Sequence, residues 1–361
     1  MNYAKLMGLL ALMVAAGAFA ADDVVVERVM GIEVPGEYKH PCTITQLGNG
    51  DLYIAYYGGL GEYEDDSKVW GMRKPAGSDT WSAPECIADT PFRGEGNPVV
   101  WQAPDGLVWL FYVQRYGDTW SDSRVKGKIS KDGANTWSDS FMLTFQQGTM
   151  VQGLPIVLNN GDYLLPAYHE TGHDQEKTNP DTESLFFRIN PRTNTWAETG
   201  KIVSDNGNLQ PHAVQLSDSR LIAYCRRGGT FDPLPDGRII RAESHDGGNT
   251  WTRGAPSQFK NPNAAIAFIK LANGHLLLVY NDSISARMPL TASVSTDDAT
   301  WPYKRNLSES SGYRDFAYPV AIQTRDGKIH LVCTTDERKT ILHFTFDEQA
   351  ILLHPAESNA Q

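Results

Sequence analysis

A short turn that ends in tryptophan recurs along the chain, with the pattern Ser-x-Asp-x-Gly-x-Thr-Trp. It is complete in residues 244–251, nearly complete in residues 130–137 and 295–301, and degenerate where it ends at Trp81 and Trp196. The tryptophans are spaced by roughly 55 residues, a period typical of one repeated supersecondary unit. The Asp can accept bonds from backbone N–H groups, Gly or Asn can adopt positive φ, and Trp can pack back between strands. We interpret the turn as a structural staple without a catalytic role.

A hairpin pattern occurs between the Trp turns: two apolar runs joined by a tight two-residue turn, which is a strong short-range hairpin signal. The six turns are Asn49-Gly50, Asp105-Gly106, Asn160-Gly161, Asp218-Ser219, Asn273-Gly274 and Asp326-Gly327. Six hairpins interleaved with five Trp turns predict an all-β, six-bladed β-propeller of four-stranded antiparallel sheets. Residues 24–34 are predicted to close the last sheet, which otherwise ends near Phe346.

The first twenty residues have the features of a signal peptide. Lys5 supplies a positive charge, residues 6–18 are an apolar run too short for a membrane anchor, and small residues precede Ala21. We therefore expect residues 1–20 to be removed, residues 21–361 to form one propeller, and the protein to be periplasmic or secreted. The cysteines Cys42, Cys86, Cys225 and Cys333 are expected to be small buried residues, since their spacing matches no zinc pattern.

Charge restricts the possible partners of the chain. The formal net charge is −11, which disfavours nucleic acid and anionic membrane surfaces. An anionic substrate stays possible, because a local arginine cluster can override the overall charge. The sequence contains no Gly-rich phosphate loop and no HExxH motif, so we expect neither a cofactor nor a metal. We expect a monomer that does not insert into membranes.

The repeats resemble those of the sialidase (neuraminidase) superfamily, whose six-bladed propellers carry such Asp-box turns. The finer pattern is similar to the bacterial "predicted neuraminidase" branch with BNR repeats. Its signature segments are residues 40–43, 57–59, 95–98, 208–211, 226–229, 261–263, 280–281 and 318–319. The resemblance covers residues 21–361 and implies an exo-glycosidase that removes a terminal acidic sugar, with sialic acid as the leading candidate and a glycan as the partner.

Polar residues stand just before the first strand of each hairpin, where a structural strand would carry Val or Ile. In a propeller these strands begin at the mouth of the central channel, so the residues are predicted to converge. They are His40, Asn97, Gln152, Gln210 with His212, Asn263 and Tyr318. Loops after the second strands reach the same face, and carry Glu62, Asp65, Asp66, Arg115, His169, Glu170, Arg226, Arg227, Asn281, Asp282 and Arg287.

The resemblance implies catalytic roles for some of these residues. Tyr318 takes the place of a tyrosine nucleophile, which is neutral and so can approach an anomeric carbon that bears a carboxylate. Asp66, or its neighbour Asp65, falls in the first-blade loop that carries the acid/base. The family's glutamate partner of the tyrosine is absent, because Gln210 and His212 stand near that position. A Gln cannot act as a base, although His212 could.

The resemblance also implies an arginine pocket for the sugar carboxylate, since a guanidinium matches a carboxylate with two hydrogen bonds. Arg227 (or Arg226) and Arg287 correspond to the second and third arginines of the family. The first is replaced by His40, which can hold a carboxylate only as a single, pH-dependent donor. Glu62, Asn97 and Asn263 complete the predicted substrate-binding residues.

Two other functions remain open from the sequence. One is a propeller glycosidase or lyase that acts on uronic-acid polysaccharide, with His40, His212 and Tyr318 as its catalytic residues and arginines to neutralise the carboxylate. The other is a glycan-binding propeller without turnover, in which Trp120 and Tyr116 stack on a sugar face. Both the glycosidase and the lyase require an acidic sugar.

Overall fold

Six antiparallel sheets form a ring, as the repeats predict. The structure is a computed structural model that describes residues 23–34, 36–175 and 177–356, so the predicted signal peptide lies outside the described residues. From the channel outward, the strands of blades 1 to 3 are Tyr38–Gln46, Leu52–Gly59, Lys68–Lys74 and Glu85–Ala88; Glu95–Gln102, Val108–Arg115, Ser123–Ser130 and Phe141–Met142; and Thr149–Val151 with Ile156–Val157, Tyr163–His169, Glu183–Asn190 and Thr195–Glu198.

Blades 4 to 6 follow the same order. Their strands are Asn208–Gln215, Leu221–Arg227, Arg238–Ser244 and Ala255–Lys260; Ala267–Lys270, Leu276–Asn281, Leu290–Ser295 and Tyr303–Asn306; and Ala317–Gln323, Ile329–Thr335, Thr340–Phe346 and Val24–Met30. The described helices are short: the 3-10 turns Trp120–Asp122 and Leu307–Ser310 and the α-helical turn Gln349–Leu352. Within the described residues, no helix has the length and apolar character needed to cross a membrane.

The N-terminal strand closes the ring by joining the sixth sheet. Strand Val24–Met30 pairs antiparallel with Thr340–Phe346, with Val24 opposite Phe346, which confirms the predicted closure. Glu27 on this strand accepts hydrogen bonds from His343 of blade 6 (3.2 Å) and from Lys74 of blade 1 (2.8 Å). One carboxylate therefore connects the last blade to the first.

The Trp turns hold neighbouring blades together. In the complete copy, Asp246 Oδ1 accepts bonds from the backbone N–H groups of Asn249 (3.0 Å) and Thr250 (2.9 Å), and these bonds help to lower the Asp246 pKa to about 2 despite partial burial. Trp251 then stacks on Phe186 of the preceding blade, with ring centres 4.9 Å apart. Within the first ring position, Trp81 contacts His343 of blade 6 in the same way. The turn is a staple between blades as well as within a hairpin.

Four channel-mouth residues have an unusual backbone conformation. Asn97, Gln210, Asn263 and Tyr318 have positive φ values of 43°, 53°, 61° and 53°, which non-glycine residues rarely adopt. Strand pairing shifts register next to Asn97, Gln210 and Tyr318, as in a β-bulge. Bulges re-aim a side chain relative to its strand, and strained residues concentrate at functional sites. The bulges explain why polar side chains line the channel mouth.

The four cysteines are free thiols, and Cys42, Cys225 and Cys333 are buried, in agreement with the expectation of small core residues. Cys86 is exposed on the outermost strand of blade 1, where the sequence predicts a buried residue. Its strand is short and lies at the rim of the ring, so its side chain faces solvent.

Candidate active site

One pocket opens at the channel mouth and gathers charged and aromatic side chains from all six blades. Its wall contains three arginines, two glutamates and a set of aromatic rings: Arg226, Arg287, Arg338, Glu62, Glu170, Tyr57, Tyr63, Tyr168, Trp120 and Phe231. Most of the predicted residues line the same pocket: His40, Asn97, Gln210, Asn263 and Tyr318. The predicted convergence of the strand starts thus has a structural basis.

Tyr318 lies at the centre of the pocket's hydrogen bonds. Its Oη accepts bonds from Arg226 Nη1 (2.8 Å) and Gln210 Nε2 (3.1 Å). The His40 ring packs edge-on against the Tyr318 ring, with centres 4.2 Å apart. His40 Nδ1 is 2.6 Å from Thr334 Oγ1, which fixes the imidazole. Both lone-pair directions of Tyr318 Oη are therefore directed at protein donors.

The three arginines form a buried positive cluster. The guanidinium carbons of Arg226 and Arg287 lie 5.8 and 5.6 Å from the centre of the Tyr318 ring. Arg226 Nε also donates to Asn263 Oδ1 at 2.7 Å. In the described part of the chain, no group accepts a hydrogen bond from Arg287 Nη1. A donor buried without an acceptor is costly, so Arg287 is suited to bind an anion.

Arg338 supplies the third positive charge from the turn between the last two strands that follow Tyr318. Its φ is 66°, and its backbone C=O accepts a bond from Lys39 N at 2.8 Å, which places this turn beside His40. Burial, together with the charges of Arg338 and Arg226, lowers the pKa of Arg287 to about 10. Such repulsion between cations is relieved by a bound anion.

Two carboxyl groups face the arginine cluster. Glu62, in the first-blade loop, accepts hydrogen bonds from Tyr38 Oη and from Trp120 Nε1 (3.3 Å). Glu170 follows the second strand of blade 3, and burial raises its pKa to about 7, with Arg226 opposing and Glu62 adding to the rise. A carboxyl group with a pKa near neutrality is typical of a general acid or base.

Two predicted catalytic aspartates lie outside the pocket wall. Asp65 is exposed and pairs with Arg115 Nη2 at 3.3 Å. Asp66 accepts bonds from the backbone N–H of Leu60 at 3.1 and 3.2 Å, and so closes the loop on itself. The carboxyl group that this loop turns into the pocket belongs to Glu62.

Arg227 and His212 also lie outside the pocket wall. The Arg227 guanidinium donates to backbone carbonyls, including those of Asn261 (3.0 Å) and Thr230 (3.0 Å), and thereby holds the loop that carries Phe231. His212 lines a cavity at the other end of the channel and lies 3.2 Å from Gln152 Oε1 through its Nε2. Burial lowers the His212 pKa to about 3.

Sequence reasoning assigned no site role to two pocket residues. Glu170 was grouped with the mouth loops, but its neighbour His169 favoured an interpretation as a local ion pair. Arg338 sits in a charged hairpin turn, Glu337-Arg338-Lys339, which resembles an exposed loop. The available signal for Glu170 was its position after a second strand, whereas Arg338 had none. Among the described residues, no group of three or more His, Cys, Asp and Glu could hold a metal ion.

Comparisons with known proteins agree with this architecture. The family model described as a BNR repeat-like domain matches residues 50–331. The fold is similar to the "Hadza microbial sialidase Hz136" (TM-score 0.74, 15% identity, 89% of this chain and 68% of that chain). It is also similar to the NanB sialidase from Streptococcus pneumoniae (TM-score 0.73, 10% identity, 90% and 71%).

A third similar structure is a protein of unknown function from Dyadobacter fermentans (TM-score 0.71, 17% identity, 89% of this chain and 98% of that chain). No curated protein matches the chain in sequence. At these identities the structural likeness shows the fold alone, whereas the family model spans well over half of the chain. The chain belongs to the BNR repeat-like family of the sialidase superfamily.

Proposed function

We propose that this protein is an exo-glycosidase that hydrolyses a terminal acidic sugar, with sialic acid as the first candidate, from glycoconjugates. The observation that supports it best is the arrangement of Arg226, Arg287 and Arg338 around Tyr318, opposite two carboxyl groups. A neutral sugar would leave this positive cluster uncompensated. The apolar N-terminal segment supports a place of action in the periplasm or outside the cell.

The arginines would hold the sugar carboxylate. Arg226 already donates to Gln210, Asn263 and Tyr318, so its main contribution is to position the pocket. Arg287, which retains an unused donor, and Arg338 would make the direct contacts. Charge-assisted bonds of this kind contribute about 1.5–3 kcal/mol each.

Tyr318 and Glu62 would carry the bond-breaking chemistry. Tyr318 Oη would attack the anomeric carbon, and a neutral hydroxyl avoids repulsion by the neighbouring carboxylate. Glu62 would protonate the leaving oxygen, because the bonds from Tyr38 and Trp120 fix its carboxyl group in the pocket. Asp65 and Asp66 would shape the loop that presents Glu62.

The test is incubation with a fluorogenic sialoside, using the protein and its Tyr318→Phe variant. We expect fluorophore release by the protein and a loss of about 10³-fold or more in the variant, since the nucleophile is gone while the pocket remains. Comparison of thermal unfolding checks that the variant is folded. Release that is equal in both proteins would rule out Tyr318 as nucleophile, and no release from any sialylated glycan would rule out sialic acid.

A uronic acid is the second candidate substrate, favoured by His40 in place of an arginine and by Gln210 in place of a glutamate. The lyase version of this candidate used His40, His212 and Tyr318 together. His212 lies at the far end of the channel, so these three side chains do not form one site. Ultraviolet absorbance of unsaturated uronates in the products would distinguish elimination from hydrolysis.

A further inference from the structure

The hydrogen bonds to Tyr318 raise the question of where its proton goes. Arg226 and Gln210 both donate to Tyr318 Oη, through Nη1 and Nε2. A guanidinium has no acceptor, and an amide nitrogen does not take up a proton near neutral pH. The two groups that touch the hydroxyl oxygen therefore cannot serve as its base.

Three other titratable groups in the pocket are candidates. His40 is buried, its Nδ1 is occupied by Thr334 Oγ1, and burial together with the charges of Arg338, Arg287 and Arg226 lowers its pKa well below the usual range. Glu62 has both carboxylate oxygens in hydrogen bonds, to Tyr38 and Trp120. Glu170 lines the same pocket and forms part of its charged wall.

Glu170 is placed beside the same hydroxyl network. It lies two residues after Tyr168, whose Oη accepts a bond from Asn97 Nδ2 at 3.1 Å. The charges of Glu170 and Tyr318 both act on the Tyr168 hydroxyl and raise its pKa, so the two groups approach it together. The carboxyl group of Glu170 thus shares the interior of the pocket with Tyr318.

We propose that Glu170, from blade 3, is the base that accepts the proton of Tyr318, a task that Gln210 of blade 4 cannot perform. The inference rests on the proposed function. As the bond between Tyr318 Oη and the anomeric carbon forms, the Oη proton passes to a Glu170 oxygen. The bond to the leaving oxygen breaks with its electron pair on that oxygen, which receives a proton from Glu62.

The second half of the reaction reverses these transfers. Water attacks the anomeric carbon and gives one proton to ionised Glu62, while the remaining hydroxyl stays on the sugar. The bond to Tyr318 breaks with its electron pair on Oη, which recovers its proton from Glu170. Both carboxyl groups then return to their starting states, so no oxidant or additional reactant is needed.

The surroundings of Glu170 give this role a pH signature. Arg226, Glu62, Tyr168 and Lys177 are the charged or titratable groups of the pocket wall around it. The pKa of Glu170 is raised to about 7. A base acts in its ionised form, so formation of the Tyr318 adduct should accelerate as pH rises through this range.

The experiment uses a sialosyl fluoride with a second fluorine at C3 as probe. Fluoride leaves without needing a proton and the C3 fluorine slows release of the adduct, so intact-mass measurements report the first step alone. We expect adduct formation on Tyr318 with a rate that rises through about pH 7. Glu170→Gln should slow it about 10²-fold or more and remove the pH dependence, because an amide cannot accept the proton.

Two further variants make the result specific. Glu198→Gln, an exposed carboxylate on the outer strand of the same blade, should behave as the unmodified protein. The double variant Glu170→Gln/Gln210→Glu should regain a large part of the rate, since it restores a carboxylate next to Tyr318 Oη. Thermal unfolding of each variant checks that it is folded.

The outcomes separate the two proposals. An unchanged rate and pH profile in folded Glu170→Gln would overturn the assignment of Glu170 while leaving Tyr318 as nucleophile. Absence of both adduct and hydrolysis in the unmodified protein would overturn the proposed function, and the role of Glu170 with it. Slow labelling of the double variant would point to a positioning effect of Glu170 and contradict its role as a base.

Discussion

Arg338 brings a positive charge into the pocket from a blade that the repeat pattern does not connect with carboxylate binding. The first-blade position holds His40, which is buried and whose pKa lies well below its usual range, so it is neutral at pH 7. The Arg338 turn lies beside it, through the bond between Lys39 N and Arg338 O. A charge lost in one blade is thereby supplied from the adjoining one.

Replacement of Arg338 tests this exchange. We expect Arg338→Ala to lower kcat/KM for an acidic-sugar substrate by about 10–100-fold, mainly through KM, because one charge-assisted bond to the carboxylate is lost. Arg253→Ala removes an exposed arginine paired with Asp205 and serves as the control. Steady-state kinetics of both variants check the prediction, which fails if the two give the same kcat/KM.

Adjacent residues in an extended strand point to opposite sides, and this alternation separates Arg226 from Arg227. Only Arg226 faces Tyr318, while Arg227 binds backbone carbonyls. The sequence favoured Arg227 with Arg226 as the alternative, since spacing alone does not reveal which face is the pocket. Loop residues Glu62, Asp65 and Asp66 present the same problem without any regular alternation.

At the scale of the elements, the inner strand of blade 2 carries a second carboxyl group with a raised pKa. Glu95 has 0% of its surface exposed, and burial raises its pKa to about 7, with the charge of Asp89 adding to the rise and Lys126 opposing it. It lies two residues before Asn97 but does not line the pocket. Its carboxyl group packs against the outer strands of the blade and has no place in the proposed mechanism.

Glu95 should make stability depend on pH. Its pKa in the folded protein exceeds the model value of 4.5, so the folded state holds this proton more tightly, and stability is lost as pH rises through about 7. We expect Glu95→Gln to reduce the loss of unfolding free energy between pH 5 and pH 8 by up to about 3 kcal/mol. Urea denaturation measures this. The exposed Glu85→Gln on a neighbouring strand is the control, and an equal pH dependence in all three proteins would contradict the expectation.

At the scale of the whole molecule, the ring depends on contacts between its first and last blades. Glu27 provides one of them by accepting bonds from Lys74 and His343. We expect Glu27→Ala to lower the unfolding free energy by about 1–3 kcal/mol, because buried His343 loses its partner. Glu33→Ala removes an exposed pair with Arg28 and should cost at most about 0.5 kcal/mol. Equal unfolding free energies in the two variants would argue against a role in closure.

Much of the architecture could be predicted from the sequence because its determinants are local. The Trp turn and the tight hairpins each rest on residues within a few positions of one another, and they established the blade number, the closing strand and the convergence of Tyr318, Gln210 and Asn263. Which neighbouring side chain enters the pocket was decided by the tertiary structure alone. Glu170, Arg226 and Arg338 come from blades 3, 4 and 6, and their charges meet only when the ring is closed, so no spacing in the sequence reports their contact with Tyr318.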